Sequence, residues 1–256
     1  MTRHPTALIV LVWLAAGRMG SAAPLPQISG TGGSPTAEEI IEKSLAATGG
    51  REAHQRVTSL RMVGTFELPA VGASGKVELL AKAPNKRFTR TEIEGFGEVK
   101  QGFDGEVAWA DNPMQGFVEL SGDALAVVRR EAVFMGDLKW RELYTKAELK
   151  GKQKLGEREV YVVELSPREG KPVTRYYDAE SFLLVRADAE QPTMQGMTLV
   201  ETRFSDYREI GGRKLPFTIT QLIPDGELIV RITEVQENVE IPDAVFRPPR
   251  PAGAAK

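Results

Sequence analysis

The ten residues Ser59-Leu60-Arg61-Met62-Val63-Gly64-Thr65-Phe66-Glu67-Leu68 decide how the chain is read. Leu60, Met62, Phe66 and Leu68 alternate with Ser59, Arg61, Thr65 and Glu67, so an extended backbone presents one apolar face and one wet face. A helix would scatter the same residues around its circumference. The next segment repeats the pattern, with Val77, Leu79 and Ala81 alternating with Lys76, Glu78 and Lys82. Further extended segments are expected at 87–93, 98–103, 106–110, 116–120, 143–149, 159–165, 173–178, 183–189, 198–207, 214–222 and 227–236. Asn, Gly, Pro and Asp turn residues separate them, as in Gly211-Gly212 and Pro224-Asp225-Gly226.

Two interruptions have helical period. Thr36 and Glu39 form a capping box, and Ile40, Ile41, Leu45 and Ala46 recur at helical spacing until Gly49 and Gly50. Leu125, Val128, Ala132 and Met135 lie three or four apart behind Ser121 or Asp123, which predicts a second helix over 123–135. Strand never alternates with helix, so parallel crossover units are not expected. The fold class is mainly β (α+β), one large curved antiparallel sheet with a few helices.

Composition supports a packed globular chain: 256 residues, 41% apolar and 27% charged. Thirty-three basic against 35 acidic residues leave a net charge of -2, which gives no field to gather nucleic acid. The absence of cysteine removes disulfides, thiolate zinc sites and thiol catalysis. Arg3 and His4 precede an apolar run over 7–16 and the small residues Gly20, Ser21, Ala22 and Ala23, the layout of a cleavable secretory signal. Residues 1–23 are therefore expected to be a signal peptide that directs the chain to the periplasm. A Pro, Gly, Ser and Thr linker follows over 24–35, then the folded domain over 36–249, then a disordered tail over 250–256.

Inventory limits the chemistry. Beyond the signal only His54 remains, read as a solvated helix-end residue, so serine triads and histidine-bearing metal sites are excluded. An acid pair cannot be dismissed by counting. However, Glu67, Glu78, Glu157 and Glu159 alternate with apolar residues and are read as a solvated face. No catalytic residue, metal or cofactor is expected, and the protein is read as no enzyme. Trp109, Phe117, Phe134, Met135, Trp140, Met194, Met197 and Phe204 lie near strand ends and connections, where soft and aromatic side chains suit an irregular apolar guest. The stretch 191–199, with Pro192, Met194, Gly196 and Met197, is the expected mobile apolar loop.

Several stretches carry a family likeness. They are Lys82-Ala83-Pro84-Asn85-Lys86-Arg87-Phe88, Phe103-Asp104-Gly105-Glu106-Val107-Ala108-Trp109 and Asp111-Asn112-Pro113. Tyr176-Tyr177-Asp178 with Leu183-Leu184-Val185, and Phe204-Ser205-Asp206-Tyr207 leading to Gly211, Leu215 and Pro216, continue it. Asn238, Ile241, Phe246 and Pro248-Pro249 close it. In these the chain resembles the LolA/LolB-like periplasmic lipoprotein-carrier family, in its outer-membrane lipoprotein-sorting form. The resemblance implies a half-open barrel whose concave side is covered by helices, a hydrophobic cavity for lipid or lipoprotein acyl chains, and handover between inner- and outer-membrane transport proteins. A monomer is expected.

The expected cavity residues are Leu60, Met62, Phe66, Val77, Leu79, Phe88, Trp109 and Phe117, with Phe134, Met135, Met194 and Met197 at a lid. The family's lid-holding arginine is Ala83 here, and Lys82, Arg87 and Arg90 are the cations that could replace it. A competing reading is an envelope binding or sensing module of the same fold that recognises a protein partner.

Overall fold

Each alternating segment is a strand in the structure, a computed structural model that describes residues 35–193 and 196–249. The signal segment, the linker up to residue 34, the tail over 250–256 and Met194 lie outside the described residues. Strands β1 (Ser59–Leu68), β2 (Ala73–Lys82), β3 (Lys86–Ile93), β4 (Gly97–Phe103), β5 (Ala108–Asn112) and β6 (Gly116–Glu119) form a first meander. A second comprises β7 (Tyr144–Leu155), β8 (Arg158–Pro167), β9 (Val173–Asp178), β10 (Leu184–Thr193), β11 (Gly196–Ile210), β12 (Arg213–Ile223) and β13 (Gly226–Glu237). β1 pairs antiparallel with β13, Leu60 opposite Glu237 and Phe66 opposite Val230, so the two meanders are one 13-stranded sheet running from β6 to β7. The two outer strands do not pair with each other, and the sheet stays open.

One apolar cluster draws on both meanders. Met62, Phe66 and Val77 of the first pack with Val163, Ala187, Ile219 and Val230 of the second, and with Ile40 and Ile41 from the first helix. A sheet this wide shares one core only by curling around it. Each fully buried Phe, Leu or Ile contributes about 1.5–3 kcal/mol.

Helix α1 (Ala37–Ala47) starts at the expected box, where the Thr36 amide donates to Glu39 Oε2 at 2.8 Å and the Glu39 amide to Thr36 Oγ1 at 3.1 Å. Helix α1 ends just before the two glycines, as expected, and helical structure then resumes. Gly49 takes a positive φ of 115°, and a second short helix, α2 (Gly50–Gln55), follows. A Cβ on Gly49 would lie 2.3 Å from the Gly212 carbonyl oxygen, so this corner seats directly on the β11–β12 turn. Helix α3 (Gly122–Ala132) stops short of Met135. The Phe134 amide leaves the helical ladder and donates to the Pro84 carbonyl at 2.9 Å, and a 3-10 turn over Gly136–Lys139 and one helical turn, α4 (Trp140–Leu143), complete the connection.

Two boundaries differ from expectation. The strand expected from Glu106 starts at Ala108, because Asp104 Oδ1 accepts from the Glu106 and Val107 amides at 3.0 and 2.8 Å and holds a turn there. The described residues of the stretch 191–199 are strand, not loop: Pro192 pairs with Met197, and Thr193 with Gly196, where β10 meets β11. Proline is tolerated because β9 pairs with β10 only as far as Asp188, leaving the Pro192 nitrogen no strand to serve on that side.

Candidate functional site

Pairing register sorts the expected lining residues onto two faces. Met62 stands opposite Leu79, Gly64 opposite Val77, and Leu60 opposite Ala81, so Leu60, Met62, Phe66, Val77 and Leu79 all face inward, in or against the central core. Phe88, Gly102 and Trp109 are cross-strand neighbours one residue out of phase, on the outer face. There Trp109 lies between Phe88 and Phe117, with ring centroids 6.1 and 6.5 Å away, and its Nε1 donates to the Phe246 carbonyl at 2.9 Å. Phe117 is 43% exposed. This aromatic row is a seat for the C-terminal 3-10 turn (Asp243–Phe246) and lines no cavity in the concave side. The inward positions of β3 are instead Arg87, Thr89, Thr91 and Ile93, all buried.

The cavity, of about 280 Å³, lies over the second meander. Ile41 and Leu45 of α1, Leu143 of α4, Leu184 and Ala187 of β10, Phe204 of β11 and Leu215 of β12 give it an apolar wall. Arg130 and Glu131 of α3, Asp137, Arg175 and Tyr177 of β9, and Lys214 add polar groups. None of the expected lining residues borders it. Phe134 and Met135 flank Val133 and Gly136, which do, and Met197 sits in a small crevice beside Val127 of α3.

His54 also borders the cavity and is 8% exposed, contrary to the expectation of a solvated residue. The α2 corner turns it inward, where its Nε2 lies 3.2 Å from Thr48 Oγ1. Burial, helped by the Arg213 charge, holds its pKa below the usual 6.5. Arg175 donates to Asp137 Oδ1 at 2.7 Å, and that positive charge holds the Asp137 carboxyl below its ordinary value. Glu131 accepts from Gln191 Nε2 at 3.0 Å, and burial pushes its pKa up to about 7, against the pull of Arg130, Arg87 and Arg175. Glu78, expected on the solvated face, is instead largely covered by its ion pairs to Arg61 and Arg90 at 2.7 and 2.8 Å.

Solved structures share this fold. A LolA superfamily protein from Nitrosomonas europaea superposes with TM-score 0.55 at 18% identity, over 84% of this chain and 99% of that one. The chain has the LolA-like fold. A DUF1329 family protein from Desulfovibrio piger gives 0.54 at 12% identity, over 82% and 97% of the two chains. A domain from Vibrio parahaemolyticus named for outer membrane lipoprotein sorting gives 0.51 at 14%, over 82% and 97%. No family model matches the sequence, and no curated protein matches it.

Within this LolA-like fold the segment after α3 is held without an arginine at position 83. Its backbone bond to Pro84 is one tie, and Arg213 makes another, donating Nη1 to Met135 Sδ at 3.4 Å while its Nε bonds Glu237 at 3.1 Å. Lys82 reaches Asp243 and Arg90 reaches Glu78, so neither serves α3. Arg87 is buried beside Glu131 and does face it.

Glu131 and Arg175 escaped the sequence reading. The signal was present on β9, where Val173, Arg175 and Tyr177 share one parity and set a charge between two apolar inward residues.

Proposed function

We propose that the protein is a periplasmic carrier that shelters a lipid or lipoprotein acyl chain in this cavity for transfer towards the outer membrane. The observation that carries the reading is a preformed hollow with a largely apolar wall, roofed by α3 and the connection that follows it. The LolA-like fold and the secretory pattern of residues 1–23 support it. Each methylene entering such a pocket gains about 0.8 kcal/mol, so one chain gains on the order of 10 kcal/mol. A bilayer returns nearly the same gain, so transfer is almost isoenergetic in its apolar part and its direction comes from partner proteins in the two membranes. Binding, with no bond made or broken, is the whole activity of this reading.

Native mass spectrometry of the protein purified from periplasm without detergent tests it. Acyl species are expected to travel with the native chain and to be lost from Ala187→Phe, which fills the cavity. A native chain that carries no lipid and takes up no fluorescent acyl probe refutes the reading.

The module reading has one observation of its own. The outer strand β6 carries exposed Phe117 and Val118, with Met114 exposed in the turn before it, at an edge without a partner among the described residues. Such an edge accepts an added strand from another protein. A lipid-free protein that captures an envelope partner through β6 would favour it.

A further inference from the structure

Two side chains that line the cavity each keep one polar atom that is closed off and lacks a hydrogen-bond partner among the described residues: Arg175 Nε and Glu131 Oε2. Each side chain is anchored through another of its atoms. Arg175 Nη1 serves Asp137 and Tyr177, and Glu131 Oε1 accepts from Gln191. A buried donor and a buried carboxyl oxygen left open in an otherwise bonded site are expensive, and a bound group that satisfies both relieves the cost.

We propose that the cavity takes a free fatty acid, its carboxylate accepting from Arg175 Nε and from the Glu131 carboxyl while its tail runs along the apolar wall. The inference rests on the acyl-chain reading above and names the head that comes with the chain. The head is matched by charge as well as by hydrogen bonds. Arg130, Arg175 and Lys214 on the wall outnumber Glu131 and Asp137. The charges of Arg130 on α3, Arg87 of β3 and Arg175 of β9 all act on Glu131, with neutral Gln191 on β10. Burial disfavours the charged form of His54, and it also disfavours ionisation of Tyr177 and Tyr207. The ligand therefore supplies a negative charge that the cavity lacks.

A carboxyl held protonated up to about pH 7 donates to a bound carboxylate without repelling it. Above that pH, binding must take up a proton, and affinity falls by about tenfold per pH unit. An alcohol head behaves oppositely, because its hydroxyl donates best to ionised Glu131.

Calorimetric titration of the full chain with laurate, methyl laurate and dodecanol at pH 6 and pH 8 decides. Laurate is expected to bind about tenfold or more tightly than its ester at pH 6, the weight of one charge-assisted hydrogen bond, and to lose about tenfold by pH 8. Glu131→Gln keeps a neutral donor and should bind laurate equally at both pH values. Arg175→Lys should bring laurate down to the level of the ester. If laurate and ester bind alike at both pH values, or dodecanol outbinds laurate at pH 6, the carboxylate inference falls and the acyl cavity stands. If none of the three binds, the acyl reading falls as well. Should either variant fail to fold, the three titrations of the native chain separate these outcomes by themselves.

Discussion

Replacing Glu131 by glutamine should make the protein more stable at pH 8 and leave it nearly unchanged at pH 4. The native carboxyl, on the last turn of α3, has its pKa raised from 4.5 to about 7 by burial. Below pH 4.5 both folded and unfolded chains hold the proton, and the side chain has no titration penalty. As pH rises from 4.5 to 7 the unfolded chain releases its proton while the folded chain keeps it, so stability declines. Above 7 the loss is complete. At about 1.36 kcal/mol per pKa unit, the interval corresponds to on the order of 3 kcal/mol. The glutamine carbonyl still accepts from Gln191, so the substitution removes the titration and little else. Urea unfolding of both proteins, followed by circular dichroism every half unit from pH 4 to pH 8, gives the difference directly, since all other carboxylates cancel. The difference should grow with pH and level off just above 7. A constant offset would refute the claim that Glu131 is desolvated, and a native protein that gains on the variant as pH rises would reverse its sign.

Glu42 gathers Arg51 at 2.7 Å, Arg141 at 2.8 Å and Trp140 Nε1 at 3.2 Å, which ties α1 to α4 and holds its pKa down at about 2, with the Arg51 hydrogen bond the largest cause. Its side chain is about a third exposed, so Glu42→Gln should cost only about 1 kcal/mol at pH 7. That stabilisation is present above pH 4.5 and lost as pH falls towards 2, so unfolding midpoints of variant and native protein should converge there. Gly102→Ala places a Cβ 2.4 Å from the Trp109 ring and should displace the indole from its seat. A loss of about 1–3 kcal/mol with a changed tryptophan emission is expected, and an unaltered spectrum would contradict the outer-face packing.

The sheet was legible because its pattern is written in apolar residues: β1, β2 and β8 to β13 alternate or run apolar where they meet the core. The cavity was not, for a physical reason visible on β3 and β4. Arg87, Thr89, Thr91 and Gln101 are buried inward while Phe88 is an outward residue under the C-terminal turn, so hydrophobicity there points to the wrong face. Phe88 and Trp109 belong to a second apolar layer that no single strand reveals, because the covering segment lies more than a hundred residues downstream at Phe246. Glu131 and His54 were missed because a lone polar residue among helical neighbours carries no sign of which way it turns. Only the α3 roof and the Gly49 corner decide that.

The joining of β1 to β13 has a consequence for how the molecule comes into being. A ribosome releases the chain from its N-terminus, so the first meander can assemble early, yet the edge of β1 waits bare until residues 226–237 follow. Every other strand finds its neighbour within a short reach, whereas this seam joins residues as far apart as Leu60 and Glu237 and carries the largest loop-closure cost. Until it closes, an uncovered edge of mixed apolar residues invites the wrong partner. Truncation inside the last strand would therefore leave two half-sheets without a common interior.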